Sequence, residues 1–306
     1  MKKTLVFLTV LMLALALLPA VFNPAYSDYQ FYNLHAYDVD MAYLESALAE
    51  SVDDKEKAEI LWRLSRTQLT ITDDIKNDKE NKELRLAEYG KAQDYAERAI
   101  ALNDSANAEH WLSSAIGRIG QVNGALNSLS KAKPMYEIIK KVQNDFNADM
   151  SDSWYVLGIL FNQLPGSPIS FGNSKEAISY MKRCLDTQDT VNRSNLTNYL
   201  ETAEQLYQRN WDSKKREKEF EKMKSKYKSE TLPTEKMKYY EGRDGKKTTA
   251  YYCSVPLVEI SDRQEAITLL RYSLAVYDMR EKQNLILPSD TEKKADIEAF
   301  LNQISL

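Results

Sequence analysis

Glu88–Gly120, EYGKAQDYAERAIALNDSANAEHWLSSAIGRIG, decides how the rest of the chain is read. Ala92, Ala96 and Ala99 recur at i, i+4 and i+7, which puts three small residues on one helical face. A second helix can approach closely along that seam, with Tyr95 and Ile100 as flanking bulk. Asn103 and Asp104 then end the helix, because their side chains compete for backbone hydrogen bonds and tolerate turn geometry. Another amphipathic run follows at once and aligns Trp111, Ala115 and Ile119. The stretch therefore predicts helix, tight turn, helix, with a small-residue seam between the two.

The same grammar extends in both directions. Upstream, Met41, Leu44 and Leu48 mark a short helix, and Ala58, Leu61, Trp62, Ser65 and Leu69 mark a stronger one over Lys55–Ile71. Between it and the central stretch lies Asp73–Glu83, almost wholly charged or amide and read as a solvated loop or an exposed first turn. Downstream, Gln121–Lys133 reads as a polar connector with weak helical character and Pro134 as the first residue of a helix carrying Met135, Ile138, Ile139, Val142 and Phe146. Trp154, Leu157, Gly158 and Phe161 share the next face. The Pro- and Gly-rich run Leu164–Gly172 is a loop, and Ala177, Met181, Cys184 and Leu185 carry the partner helix. Leu200, Ala203 and Tyr207 are expected to face Phe220, Met223 and Tyr227. Tyr239–Tyr252 is read as an irregular loop, with a hairpin about Asp244-Gly245 as the alternative. Helices resume over Asp262–Arg280 and Thr291–Ile304.

Trp154, Leu157, Gly158 and Phe161 followed by Ala177, Met181 and Cys184 resemble the two helices of a tetratricopeptide repeat. Anchors at Ala92, Met135 and Ala177 are 43 and 42 residues apart, longer than the ~34 of the plain repeat, with the excess in the loops just named. A narrower set also resembles a known family: Glu59–Arg66, the charged insertion, Tyr95–Ala99, Trp111–Gly120, Leu157-Gly158 and Leu164-Pro165-Gly166. It is similar to the repeat proteins related to regulators of microtubule dynamics, and the bacterial T-components of TRAP-type solute transporters share much of the layout. The resemblance spans about Asp38–Lys226. It implies an all-α fold: antiparallel helix pairs stacked into a right-handed superhelical solenoid with inserted loops. The expected organisation is a leader over 1–27, a repeat domain over 28–228, and a C-terminal extension over 229–306 whose helices pack on the repeats.

Lys2 and Lys3 precede an apolar run from Leu5 to Phe22, and Ala25-Tyr26-Ser27 places small residues at the −3 and −1 positions. This reads as a secretory leader cut after Ser27, with a retained membrane anchor as the alternative. Losing Lys2 and Lys3 takes the formal charge from −4 to −6, against a nucleic-acid partner. Few glycines and prolines, with much Ala, Leu, Lys and Glu, favour helix. Of the two cysteines, Cys184 sits where a repeat wants a small buried residue, so a core thiol is expected there; pairing with Cys253 is the alternative in an exported protein.

The chemical inventory is sparse. His35 and His110 have no second metal-type ligand at helical spacing, and no nucleophile elbow, zinc motif or Cys-x-x-Cys pair occurs. Gly117-Arg-Ile-Gly120 lacks the preceding strand of a dinucleotide site, and Gly245-Lys-Lys-Thr248 lacks the setting of a phosphate loop. The expectation is a non-enzyme without cofactor or metal. What remains is surface: by repeat geometry the inward positions are Arg63, Thr67, Glu109, Leu112, Ile116, Asp152, Tyr155, Asn162, Glu201 and Gln205. Such a groove suits a protein segment or a small ligand. The reading is therefore an exported, periplasmic scaffold that holds a protein partner. The alternative, implied by the T-component resemblance, is an accessory of a TRAP-type uptake system working with a periplasmic binding protein.

Overall fold

The computed structural model describes residues 22–188 and 195–305; residues 1–21 of the expected leader lie outside it. Every regular element among the described residues is helical, with thirteen α-helices and no strand. None of these helices is long and apolar enough to cross a membrane. The chain divides into two compact units at Lys131/Ala132, inside the stretch expected as one repeat domain.

The first unit holds α1 (Pro24–Tyr29), continued by a π-turn over Gln30–Leu34, then α2 (Tyr37–Glu50), α3 (Asp54–Asp73), α4 (Lys82–Leu102) and α5 (Ala106–Asn123). Helix α3 starts because the Asp53 carboxylate accepts the Glu56 N–H, 2.9 Å away. Helix α4 stops at Asn103, whose backbone is extended, and Ser105 caps α5 by accepting the Ala108 N–H. A three-residue turn of this kind makes α4 and α5 antiparallel neighbours. Helix α4 packs on both α3 and α5, and α2 packs on α3. Ala92, Ala96 and Ala99 are all fully buried, as the seam required. One core cluster joins Leu44, Ile60, Leu61, Trp62, Leu64, Ala99 and Ala108, and a second joins Leu69, Tyr89, Ala92 and Ala115; Trp111 touches both. The charged insertion is the loop between α3 and α4. Its ends are tied down, since the Tyr89 hydroxyl donates to Asp73 Oδ1 at 2.6 Å and Arg118 pairs with Asp73 Oδ2 at 2.8 Å.

The unit boundary falls inside α6 (Ala125–Lys140); the helical character expected for Gln121–Lys133 is strong on both sides of Gly124, whose φ of 86° separates α5 from α6. Pro134 lies in that helix's interior, not at its start; the structure offers no physical account of why it is tolerated there.

In the second unit follow α7 (Ser151–Gln163), α8 (Ser174–Thr187), α9 (Leu196–Arg209), α10 (Ser213–Ser229), α11 (Pro233–Met237), α12 (Asp262–Lys282) and α13 (Pro288–Ile304). Helices α7 and α8 form the tightest pair, with Trp154 stacked on Tyr180 and Leu157, Phe161, Ala177 and Cys184 buried between them. A Cβ on Gly158 would stand on the Met181 thioether, so this glycine marks where α8 presses closest. The next pairing departs from the expectation. Helix α9 packs mainly on α12, while α10 packs on three short 3₁₀ turns, Tyr240–Gly242, Gly245–Lys247 and Leu257–Glu259. Phe220 and Met223 do share a core cluster with Leu200 and Ala203, but the α9–α10 repeat pair is not the main contact. The reason is supply of apolar surface: Ala266, Leu269, Leu270 and Tyr277 of α12 offer α9 a longer buried stripe than α10, which is crowded with lysine. Between α11 and α12 the chain is irregular, in line with the loop reading of Tyr239–Tyr252. Both thiols are free, Cys184 buried and Cys253 half-buried.

Candidate functional site

The expected groove residues differ in exposure. Arg63, Thr67, Glu109 and Gln205 are buried; Leu112, Ile116, Tyr155, Asn162 and Glu201 are half-buried, and Asp152 is exposed. For Arg63 the reason is an occupant. The N-terminal segment around α1 lies on the face of α3 that repeat geometry assigns to a partner.

That segment is held by a clasp of two arginines on one carboxylate. Arg63 donates from Nε to Asp28 Oδ1 at 3.1 Å and from Nη2 to Oδ2 at 3.0 Å, a two-pronged fit between planar groups. Arg66, fully buried, donates from Nη1 to Asp28 Oδ1 at 2.7 Å and from Nη2 to Ser27 Oγ and Asp40 Oδ2, each at 3.3 Å. Thr67 donates to the same Asp40 oxygen at 2.7 Å, so its hydroxyl is spent inside the fold. The guanidinium groups also lie over aromatic faces: Arg63 is 4.0 Å from the Trp62 ring and Arg66 is 3.9 Å from the Phe31 ring. Burial alone would raise the Asp28 pKa, but hydrogen bonds and charge from Arg63 and Arg66 outweigh it and hold this carboxyl below its ordinary 3.8. Sequence reading placed Arg63 and missed Arg66, Asp28 and Asp40. The available signal was an arginine pair one turn apart beside a tryptophan, on a helix face that is otherwise apolar.

The second unit contains a larger buried polar lock that the sequence did not announce. Arg209 forks onto Asp262, from Nε to Oδ2 and from Nη2 to Oδ1, each at 2.8 Å, and onto Glu241 through Nη2 and Oε1 at 2.7 Å. The Trp211 N–H also donates to Asp262 at 2.8 Å. Arg216 pairs with Glu265 and donates to the Ile260 carbonyl at 3.1 Å. The Tyr252 hydroxyl donates to Glu265 at 2.6 Å and accepts from Lys182 Nζ at 2.8 Å. Lys182 is itself paired with Glu265, and burial pushes its pKa down to about 7. Two guanidinium groups and one lysine thus face three carboxylates, with Arg216 Nε left buried without a hydrogen-bond partner among the described residues. It ties the Glu241–Ile260 segment and α12 to α8, α9 and α10.

Of the remaining groove residues, Glu201 lines an open cleft of about 420 Å³ between α9 and α13, with Glu204, Lys293, Asp296 and Phe300. Burial, then the neighbouring Glu204 charge, raises the Glu201 pKa, and burial likewise raises that of Glu204. Gln205, one turn further along α9, has both amide atoms buried without a partner among the described residues. Among those residues no group of three or more His, Cys, Asp or Glu side chains is placed to hold a metal ion.

Residues 29–163 match the family described as regulator of microtubule dynamics protein 1-3. The matched segment runs from the end of α1 through α7 and stops before α8. No curated protein matches the chain.

Proposed function

We propose that this chain is a non-catalytic, tetratricopeptide-like interaction protein, exported to the periplasm, that carries a protein partner on its helix pairs. The observation that carries this reading is the family match over 29–163 falling on pairs with small-residue seams, α3–α4–α5. It is the same helix-pair construction, and it brings the fold rather than a microtubule role to an exported protein.

Because α1 engages Arg63 and Asp40 of α2 engages Thr67, the partner surface is assigned to α7, where Asp152, Tyr155 and Asn162 keep solvent access. An extended or helical peptide laid along one helix face would meet an acid, an aromatic and an amide there. The test is capture from envelope extract by the purified chain. Tyr155→Ala with Asn162→Ala is expected to weaken recovery of the partner at least tenfold; undiminished recovery removes α7 as the docking face.

The cleft on α9 favours a second reading, that of a T-component-like accessory handling a small solute. Its volume lies within the range of small-molecule sites. Titration calorimetry with small cationic solutes, compared between the parent and Glu201→Gln, discriminates the two. Adjacent genes for a binding protein and a permease would add weight to the solute reading.

A further inference from the structure

Residues Phe22–Ser27 precede the cut that the Ala25-Tyr26-Ser27 triplet suggests, yet they are built into the first unit. Phe22 is buried in the cluster with Leu44, Ile60 and Trp62, its ring 6.1 Å from that of Tyr43. The Asn23 N–H donates to the Tyr43 hydroxyl at 2.8 Å, and the Asn23 side chain caps α1 by accepting the Tyr26 N–H. Tyr26 meets Tyr43 edge-on at 4.7 Å. Ser27 has no exposed surface and accepts from Arg66.

The geometry points to a processing site upstream of Phe22: the leader is cut between Ala20 and Val21, not after Ser27, and the mature chain keeps α1 whole. This inference rests on the export reading. A cut after Ser27 would do three unfavourable things at once. It would empty the place of the Phe22 ring in the core. It would strip Ser27 from a guanidinium that no water reaches. It would also put a new α-ammonium on Asp28, whose carboxylate already answers two guanidinium groups, so three cations would share one anion. Ala20 is the next small residue upstream, near the end of the apolar run and with Leu18 at −3. The step is amide hydrolysis by a leader peptidase: water adds across the Ala20–Val21 bond, giving the Ala20 carboxylate and the Val21 ammonium.

The test uses the full chain with its own leader, expressed in a two-membrane bacterial host as parent and as Phe22→Ala. Intact mass and N-terminal sequencing are read on the product. The expected product begins at Val21, and parent and variant differ by the phenylalanine-to-alanine mass. The variant's thermal midpoint is expected to fall by roughly 5 °C or more. A periplasmic product beginning at Asp28, identical in mass and midpoint for parent and variant, overturns the inference while leaving export intact. An uncut cytoplasmic chain overturns both the cut and the export reading. The parent's own N-terminus gives the answer even where Phe22→Ala fails to fold.

Discussion

The two units solve the same problem with different degrees of dryness. Each uses a pair of arginines on its helices to hold carboxylates from a distant part of the chain. In the first unit Arg63 and Arg66 grip Asp28, a carboxylate that keeps about a third of its surface in water. In the second, Arg209 and Arg216 grip Glu241, Asp262 and Glu265, none of which has exposed side-chain surface. The wet clasp resembles a surface ion pair at one end and a buried one at the other. The dry lock is buried throughout, so its members stand or fall together.

The largest effect is expected from breaking the dry lock. Arg209→Ala leaves Glu241 and Asp262 buried opposite Lys182 and Arg216 alone, and should cost about 3–5 kcal/mol in urea unfolding of the second unit. Arg209→Lys should recover little of this, because a single ammonium cannot fork onto two carboxylates. Recovery to the parent value would show that net charge, not the planar fork, matters there.

Next comes the packing that the lock protects. A Cβ on Gly242 would meet the Phe220 backbone, with its carbonyl oxygen at 2.8 Å and Cα at 2.9 Å. Gly242→Ala therefore forces the 3₁₀ turn off α10, at a cost of about 1–3 kcal/mol. Ala99→Leu should cost a similar amount in the first unit, where the α4 seam leaves no room. Glu83→Ala, at the exposed start of α4, should stay within about 0.5 kcal/mol of the parent. Melts followed by circular dichroism separate these three.

The wet clasp should show the smallest effect at neutral pH and a distinctive pH dependence. The Asp28 pKa is lower in the folded state than in the unfolded chain. Its stabilisation is thus fully present above the unfolded value of 3.8 and is lost as pH falls through the folded value. Asp28→Asn is expected to be less stable than the parent by about 1 kcal/mol at neutral pH, after discounting for solvent screening. The gap should close in acid as the parent's carboxylate takes up its proton. A gap that stays constant into strong acid would mean that shape, not charge, holds the segment.

The contrast also explains what could be read from the sequence. Ala92, Ala96, Ala99 and Gly158 were legible because small residues at helical spacing have few other uses, and they fixed both the helical class and the main pairs. The groove was less legible. The repeat pattern tells which face of α3 points inward, but not whether another part of the chain lies on it. Residues 22–34 gave no warning, since a two-turn helix running into a π-turn is too short to show a period and is held mostly by polar contacts. The α9–α12 pairing was hidden for a related reason. Leu200, Ala203 and Leu206 show that α9 needs a partner, yet nothing local chooses between α10 next door and α12 more than fifty residues on. Lys182, Arg209 and Arg216 read as ordinary helix-surface charges until the segment bearing their carboxylates is seen to fold over them.

Hydrogen exchange on the purified protein tests most directly the claim that the chain covers one face of its own α3. Amides of α1 and the following turn, through Leu34, are predicted to be protected in the parent. They should lose that protection in Arg66→Met while α7 and α8 stay unchanged. Exchange of those parent amides at the rate of an unstructured peptide would contradict the account and reopen Arg63 as a partner-facing residue.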